Sequence, residues 1–377
     1  MHSRFRLKTS AILAAGAMTL ATTPVFAQYS ANVFFSPTYP LTVGGYTEFA
    51  EAVEKATDGE IVFEVYAGGS LLEPAAGLSG VRDGIAQVGY HAGTYTPSEL
   101  PLTNAIADLA FATPDPMAVA FASTEFNMMR DDMQQEWATN GVVYGGGYST
   151  PPYNLICSDV VETLDDLDGK RVRVPGGAWD RFAEHVGMRG VNVPSSEMYT
   201  GLDRGTLDCA VNDPGALETF SLWDVAGSIN TAPLGLYFSG VTWGYNQDFW
   251  RGLSDEHRRI LLDEKARHIV RVQIHYRDGA EETLAEAEER GVRVIDPSPE
   301  LQAALDEFNE NDVNEIRRLA TERFGVEDPD SLINDFNATV ERWSELLEDV
   351  DRDDEDALIE LVREEIYDRI DESSYGL

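Results

Sequence analysis

Along the chain the hydrophobic pattern alternates between a period of two and a period near 3.6, and glycine or proline marks most of the switches. Ala31 to Ser36 reads as a strand. Phe49, Val53 and Ala56 then fall at helical spacing within Tyr46 to Thr57, and Asp58-Gly59 stops the helix. Ile61 to Tyr66 is a second strand, Pro74 to Asp83 a short helix and Ile85 to Tyr90 a third strand. Strand, helix, strand, helix, strand predicts parallel pairing through right-handed crossovers. Helical patterns follow over Pro101 to Phe111 and Met117 to Asn140, with Pro114-Asp115-Pro116 between them, and Val142 begins a strand.

Pro151-Pro152 leads into the strand Tyr153 to Cys157, which predicts a crossing into a second domain. The central stretch there is Leu167-Asp-Gly-Lys-Arg-Val-Arg-Val-Pro-Gly176, which reads as turn, strand, stop. Helix Ala178 to Val186, strand Val191 to Pro194, helix Ser195 to Gly205 and strand Leu207 to Val211 come next. Tyr237 to Asn246 reads as a strand crossing back. Asp255 to Arg290 holds no proline and only Gly279 near its middle. As one helix it would be about 54 Å long, enough to underlie two domains; the alternative is two helices meeting at Gly279. After a short strand, Val292 to Ile295, the remainder is helical: Glu300 to Phe324, Ser331 to Asp349 and Ala357 to Ile370, with Asp351 to Asp356 an acidic linker. No internal repeat is visible.

A chain of 377 residues exceeds one ordinary core, and 43% hydrophobic residues suffice for two. Its beginning reads as a removable leader. Arg4, Arg6 and Lys8 precede an apolar run, Ala11 to Ala21, too short to span a bilayer, and Val25-Phe26-Ala27 places cleavage after Ala27. An N-terminal anchor is the alternative. Cleavage takes the formal charge from −38 to about −41. Such a charge excludes nucleic acid and anionic membranes as partners and suits solvation in a salty medium. An acidic protein repels an anionic ligand at long range, but salt shortens that reach to about 3 Å at 1 M, so a local cation can prevail. Cys157 and Cys209 are the two cysteines; export permits a disulfide, and spacing leaves its formation open.

Candidate chemistry collects at strand ends. Val172 and Val174 take one face of their strand, Arg171 and Arg173 the other. Arg173 stands at the carboxyl end, where open α/β sheets bind ligands, and its planar fork matches a carboxylate two bonds at a time. The same pattern fits a strand arginine paired with a surface acid. Asn212 ends the Leu207 strand before Asp213-Pro214, as a ligand contact or an Asx-turn residue. Tyr90, His91 and Tyr95 follow the third strand's carboxyl end; for His91 a hydrogen-bonded loop histidine is the plain alternative. Gly145-Gly146-Gly147 lacks the following Gly-Lys-Ser/Thr of a phosphate loop. The histidines form no metal-binding spacing, and no nucleophile elbow or dinucleotide fingerprint is present. Nothing in the sequence asks for a metal, a cofactor or an enzyme.

These pieces resemble the exported solute-binding proteins of TRAP transporters, the carriers for carboxylate-type solutes. The resemblance runs from about Asn32 to about Leu347 and is carried by Tyr66-Ala-Gly-Gly-Ser-Leu71, Leu164 to Gly176, Gly205-Thr-Leu-Asp-Cys-Ala-Val-Asn212 and the long helix after Asn246-Gln-Asp-Phe-Trp250. It implies an α/β fold of two lobes, each a mixed sheet flanked by helices, joined by crossing hinge strands and one long bent helix. Lobe one takes 28–152 and about 240–278, lobe two 153–239 and about 279–348, and residues 349–377 form an acidic helical extension. The family's carboxylate-binding arginine falls on Arg173 and its polar partner on Asn212. Where some members carry a second arginine, this chain has Tyr153 and Asn154. Pro233 to Gly244 holds no Asp or Glu, which departs from members that bind a cation with the solute. Tyr153, Trp179, Phe220, Tyr237 and Trp243 offer aromatic walls instead.

The resulting expectation is a periplasmic carrier of a small organic acid, with Arg173, Asn212, Tyr153, Asn154, His91, Tyr95 and Tyr237 as ligand contacts. The membrane subunits of a TRAP permease are its partners, no nucleic acid is bound, and a homodimer is open. A ligand sensor or a binding protein for another transporter type shares the same crevice; an exported enzyme on this fold is a further alternative.

Overall fold

The computed structural model describes residues 27–112 and 115–377. The expected leader lies outside them save for Ala27, as does Pro114 of the expected helix break.

Two mixed sheets carry the molecule. The first has the strand order β2-β1-β3-β10-β4. β1 (Ala27–Asn32) pairs in parallel with β2 (Ile61–Tyr66) and β3 (Val88–Ala92), while β10 (Gly240–Asn246) runs antiparallel to β3 and to β4 (Val142–Tyr144). The second has the order β11-β9-β5-β8-β6-β7, with β11 (Arg293–Ile295) at one edge beside β9 (Ser228–Asn230). There β6 (Arg171–Val174) lies parallel to β7 (Arg189–Asn192) and β8 (Cys209–Asn212), and β5 (Asn154–Cys157) runs antiparallel to β8. In that last pair Cys157 sits directly opposite Cys209, and the two form a disulfide with Cα atoms 4.0 Å apart.

Several departures from expectation have physical causes. β9 (Ser228–Asn230) carries only three residues, too few for a periodic signal. The helix expected from Tyr46 begins earlier, with helical turns over Pro40–Thr42 and Val43–Thr47 before Glu48–Ala56. Gly44 and Gly45, poor helix formers in isolation, are there because the neighbouring helix comes close. A Cβ on Gly44 would meet His275 Cδ2 at 2.9 Å and the Val272 nitrogen at 3.2 Å. The third strand is shifted, so His91 lies within it rather than after it.

Asp255–Glu286 is one continuous 32-residue helix, not two. At 1.5 Å per residue it is about 48 Å long. Its face of Leu261, Leu262, Ala266, Ile269, Val270 and Tyr276 is buried. Pro329–Leu346 was expected with the second lobe, but it packs on Pro116–Met129 beside the first sheet: Trp343 meets Phe121 and Phe336 meets Phe126, ring centroids 5.2 and 5.3 Å apart. Edge-to-face aromatic contact of this kind outweighs chain proximity in placing a helix. The C-terminal helix Glu355–Glu365 lies on the long helix, tied by Arg271 to Glu355 at 2.8 Å. Tyr367 and Tyr375 then reach back to the carbonyls of Gly145 and Tyr144. Among the described residues no helix is long and apolar enough to cross a membrane.

Between the sheets two segments cross side by side. Thr150 donates its amide to the Tyr237 carbonyl at 3.0 Å, Tyr153 to Gly235 at 2.8 Å and Leu234 to Tyr153 at 2.8 Å. They form the connection from which both lobes hang.

Candidate functional site

Arg171 and Arg173 leave the same face of β6 with opposite fates. Arg171, at the amino end, pairs with the half-buried Asp208, Nη2 to Oδ1 at 2.8 Å. Arg173, at the carboxyl end, is only 1% exposed. Its Nε donates to the Val193 carbonyl and its Nη1 to the Val211 carbonyl, both at 3.0 Å. These bonds to the ends of the flanking strands fix the plane of the fork. Among the described residues no carboxylate pairs with it.

The guanidinium enters a small, tightly closed cavity between the lobes. Arg173, Asn212, Tyr153, Tyr95 and Tyr237 are brought together there. Tyr90, named with them at the end of its strand, is there too; Phe35, Tyr39, Tyr148, Ser195 and Tyr276, which sequence reasoning did not name as contacts, complete the wall. Phe35 and Ser195 follow strands toward the cleft, the signal that served for Arg173. Tyr276 comes from the long helix, where no local pattern separates it from core.

His91 and Asn154 are not brought to the cavity. Side chains alternate along a strand, so Tyr90 and Tyr153 face inward while their neighbours face away. His91 is buried beside Gly77, with Nε2 2.8 Å from Thr96 Oγ1, and burial pushes its pKa down to about 3. Asn154 donates to the Ala232 carbonyl at 3.0 Å and lines a separate hollow behind the hinge. His91 carries a pH consequence. The folded state keeps it neutral while the unfolded chain protonates it near 6.5, so stability falls as pH drops from there toward about 3. Acid titration of the melting temperature checks this, and His91→Gln flattens the slope.

The rings interlock. Phe35 stacks on Tyr39 with centroids 4.0 Å apart, and Tyr153 lies nearly parallel to Tyr237 at 6.2 Å and 12°. Tyr90 and Tyr148 share a hydrogen bond between hydroxyls, and Tyr237 bonds Thr94 at 2.7 Å. Burial raises the pKa of these phenols and keeps them neutral. Asn212 Oδ1 accepts from the amide of the next residue, Asp213, at 2.8 Å, and its Nδ2 faces Met198 Sδ at 3.4 Å. A thioether is a weak acceptor, so that amide remains a donor to the cavity. The cavity thus offers one cation, one amide and phenol hydroxyls on an aromatic wall.

Nearby the lobes are also tied by charge. Arg181 forks onto Asp312 at 2.7 and 2.8 Å and reaches Asp108 at 3.2 Å. Burial raises the Asp108 pKa and Arg181 opposes the rise. Arg181→Ala leaves two buried carboxylates facing each other. The expected cost is about 2–3 kcal/mol, below the figure for a fully dry pair because Arg181 keeps some solvent; urea unfolding measures it.

Comparison with known proteins agrees with this architecture. Residues 34–318 match the bacterial extracellular solute-binding protein family 7. The chain belongs to that family. A solute-binding protein of Albidiferax ferrireducens is 26% identical over 199 residues, 50% of this chain and 55% of that one, so the chain spans about half the length of this curated relative. Among solved structures, a marine metagenome TRAP solute-binding protein specific for aromatic acids, in complex with metahydroxyphenylacetate, superposes with TM-score 0.75 at 19% identity, covering 84% of this chain and 99% of the other. A TRAP protein of Bordetella bronchiseptica with bound (R)- and (S)-mandelate gives 0.71 at 20%, covering 84% and 99%. DctP7 of Bordetella pertussis, which binds pyroglutamic acid, gives 0.70 at 21%, covering 82% and 99%. At such identities the likeness is one of fold.

Proposed function

We propose that this family 7 protein is the exported receptor of a TRAP transporter. It captures a small monocarboxylic acid bearing a ring and delivers it to the membrane permease. One observation carries this reading: a guanidinium 1% exposed, fixed by two backbone carbonyls, with no acid beside it among the described residues. A buried cation left alone costs several kcal/mol, and a ligand carboxylate relieves that cost. Among the described residues the cavity wall presents a single guanidinium, which favours one carboxylate over two. Its aromatic wall favours a planar or cyclic body, as in the acids bound by the structural neighbours.

Closure of the lobes is the working motion, a hinge mechanism for which periplasmic binding proteins are a standard case. The solute touches both lobes and so binds the closed form better. The family is one of solute-binding proteins, which supports the reading of a carrier. Export through cleavage after Ala27 belongs to the same proposal.

Thermal-shift screening of the mature protein against aromatic, cyclic and aliphatic acids tests it. An acid at 100 times its dissociation constant adds about 2.7 kcal/mol. Ring-bearing monocarboxylates raise the melting temperature most, and the acid is recovered chemically unchanged. A panel in which no carboxylate shifts the melt refutes the proposal.

A further inference from the structure

The sequence offers Phe220 as an aromatic wall, yet its ring does not line the arginine's cavity. Phe220 ends the short helix Ala216–Thr219, which follows β8 of the second sheet. The turn that presents it is anchored in its own lobe. Leu217 and Leu222 on either side are fully buried in the core there, and Trp223 Nε1 donates to Glu218 Oε2 at 2.7 Å across the turn. The Arg290 guanidinium lies over the Trp223 ring, 4.8 Å from its centroid. Ser221, the next residue, has φ 56° and ψ 33°, the left-handed region that any residue but glycine enters at a cost. Among the described residues only Asp58 shares a positive φ without being glycine. Such strain persists where the surroundings over-determine it, and it gathers at ligand clamps and switches.

From this turn Phe220 reaches across to lobe one. Its ring meets Tyr39 at 5.7 Å and 63° and Phe35 at 6.3 Å and 71°, edge-to-face in both cases. Phe35 and Tyr39 follow β1 of the first sheet, and both line the arginine's cavity. Tyr39 also packs edge-on against Tyr276 of the long helix at 5.7 Å and accepts its hydroxyl at 3.2 Å. Phe220 thus backs two rings of the wall from outside, and it packs against the cores of both lobes. We propose that Phe220 is a positioning residue for capture, a latch fixed to lobe two that grips the Phe35–Tyr39 pair when the lobes meet and holds the wall around the solute. This rests on the carrier reading of the Arg173 cavity and deepens it. Under hinge closure a contact that spans the lobes exists only while they are together, so it adds to the closed form alone and sets how long the solute is kept. Because it touches the wall and not the solute, it serves every acid alike.

Stopped-flow release and calorimetry on the mature protein test it, with mandelate, 3-hydroxybenzoate and pyroglutamate as probes. Phe220→Ala releases each bound acid about tenfold faster or more, as loss of two edge-to-face contacts implies, while the association rate stays within about threefold. Phe220→Leu keeps apolar bulk on lobe two without a ring edge and falls between; Phe220→Tyr restores the wild-type rate. The urea midpoint of ligand-free Phe220→Leu stays near that of the wild type, whereas a merely structural role lowers it together with binding and overturns the latch. Unchanged release by Phe220→Ala, or losses that differ widely from one acid to another, also overturns the latch while leaving Arg173 untouched. Failure of all three acids to bind the wild type removes the carboxylate reading and this inference with it.

Discussion

Arg173→Ala lowers affinity for the organic acid at least about a hundredfold. Removing one partner from a buried, hydrogen-bonded charge pair costs about 3–5 kcal/mol, because the other charge is left dry and alone. Here the loss is sharpened by preorganisation: the Val193 and Val211 carbonyls already hold the fork in place, so the wild type spends little entropy in orienting it. Arg173→Lys separates charge from shape. Lysine keeps the charge but has no planar fork and cannot hold both carbonyls and a carboxylate in one plane. An intermediate loss, about tenfold, is expected. Calorimetry on the three proteins decides the matter, and near-normal binding by the alanine variant refutes the site. The fold should survive, since the guanidinium has no protein counter-ion to strand among the described residues.

Loss of the disulfide is the second large effect. Cys157 and Cys209 are 52 residues apart in sequence, and both are completely buried. Closing a loop of that length restricts the unfolded chain by an entropy worth about 4 kcal/mol at 25 °C. The double variant Cys157→Ala, Cys209→Ala therefore unfolds at markedly lower urea concentration, with ligand affinity little changed. The bridge lies at the other end of β8 from Asn212, which is why stability and binding separate. A stability loss below about 1 kcal/mol shows that the bridge does not constrain the unfolded state in this way.

Much of the frame was legible in the residues because punctuation was strong. Asp168-Gly169 and Pro175-Gly176 bracket β6 so closely that the outward face and carboxyl end of Arg173 followed from counting. The long helix was legible through the scarcity of breakers between Asp255 and Glu286. Two kinds of information were not. The bounds of β3 were missed, Val88–Ala92 in place of Ile85 to Tyr90, so His91 lies inside the strand and turns away from the cleft while its neighbour Tyr90 turns into it. The cavity wall was the other. Phe35, Tyr148 and Tyr276 come from segments more than a hundred residues apart, and each sits in a locally ordinary apolar pattern. Only tertiary packing tells a tyrosine that lines a cavity from one that fills a core. The placement of Pro329–Leu346 failed for a related reason: its apolar stripe fits either lobe, and Phe121 and Phe126 decide between them.

The two crossing segments are laced to one another by backbone bonds from Thr150 to Tyr153 on one side and Leu234 to Tyr237 on the other. Neither can bend while its companion stays straight. The lobes are thereby denied sideways slip and left with a single swing, like a door on a paired hinge. In the proposed closing motion, that swing would bring Tyr95 and the Ser195 amide, 3.3 Å apart across the cleft, together along one path.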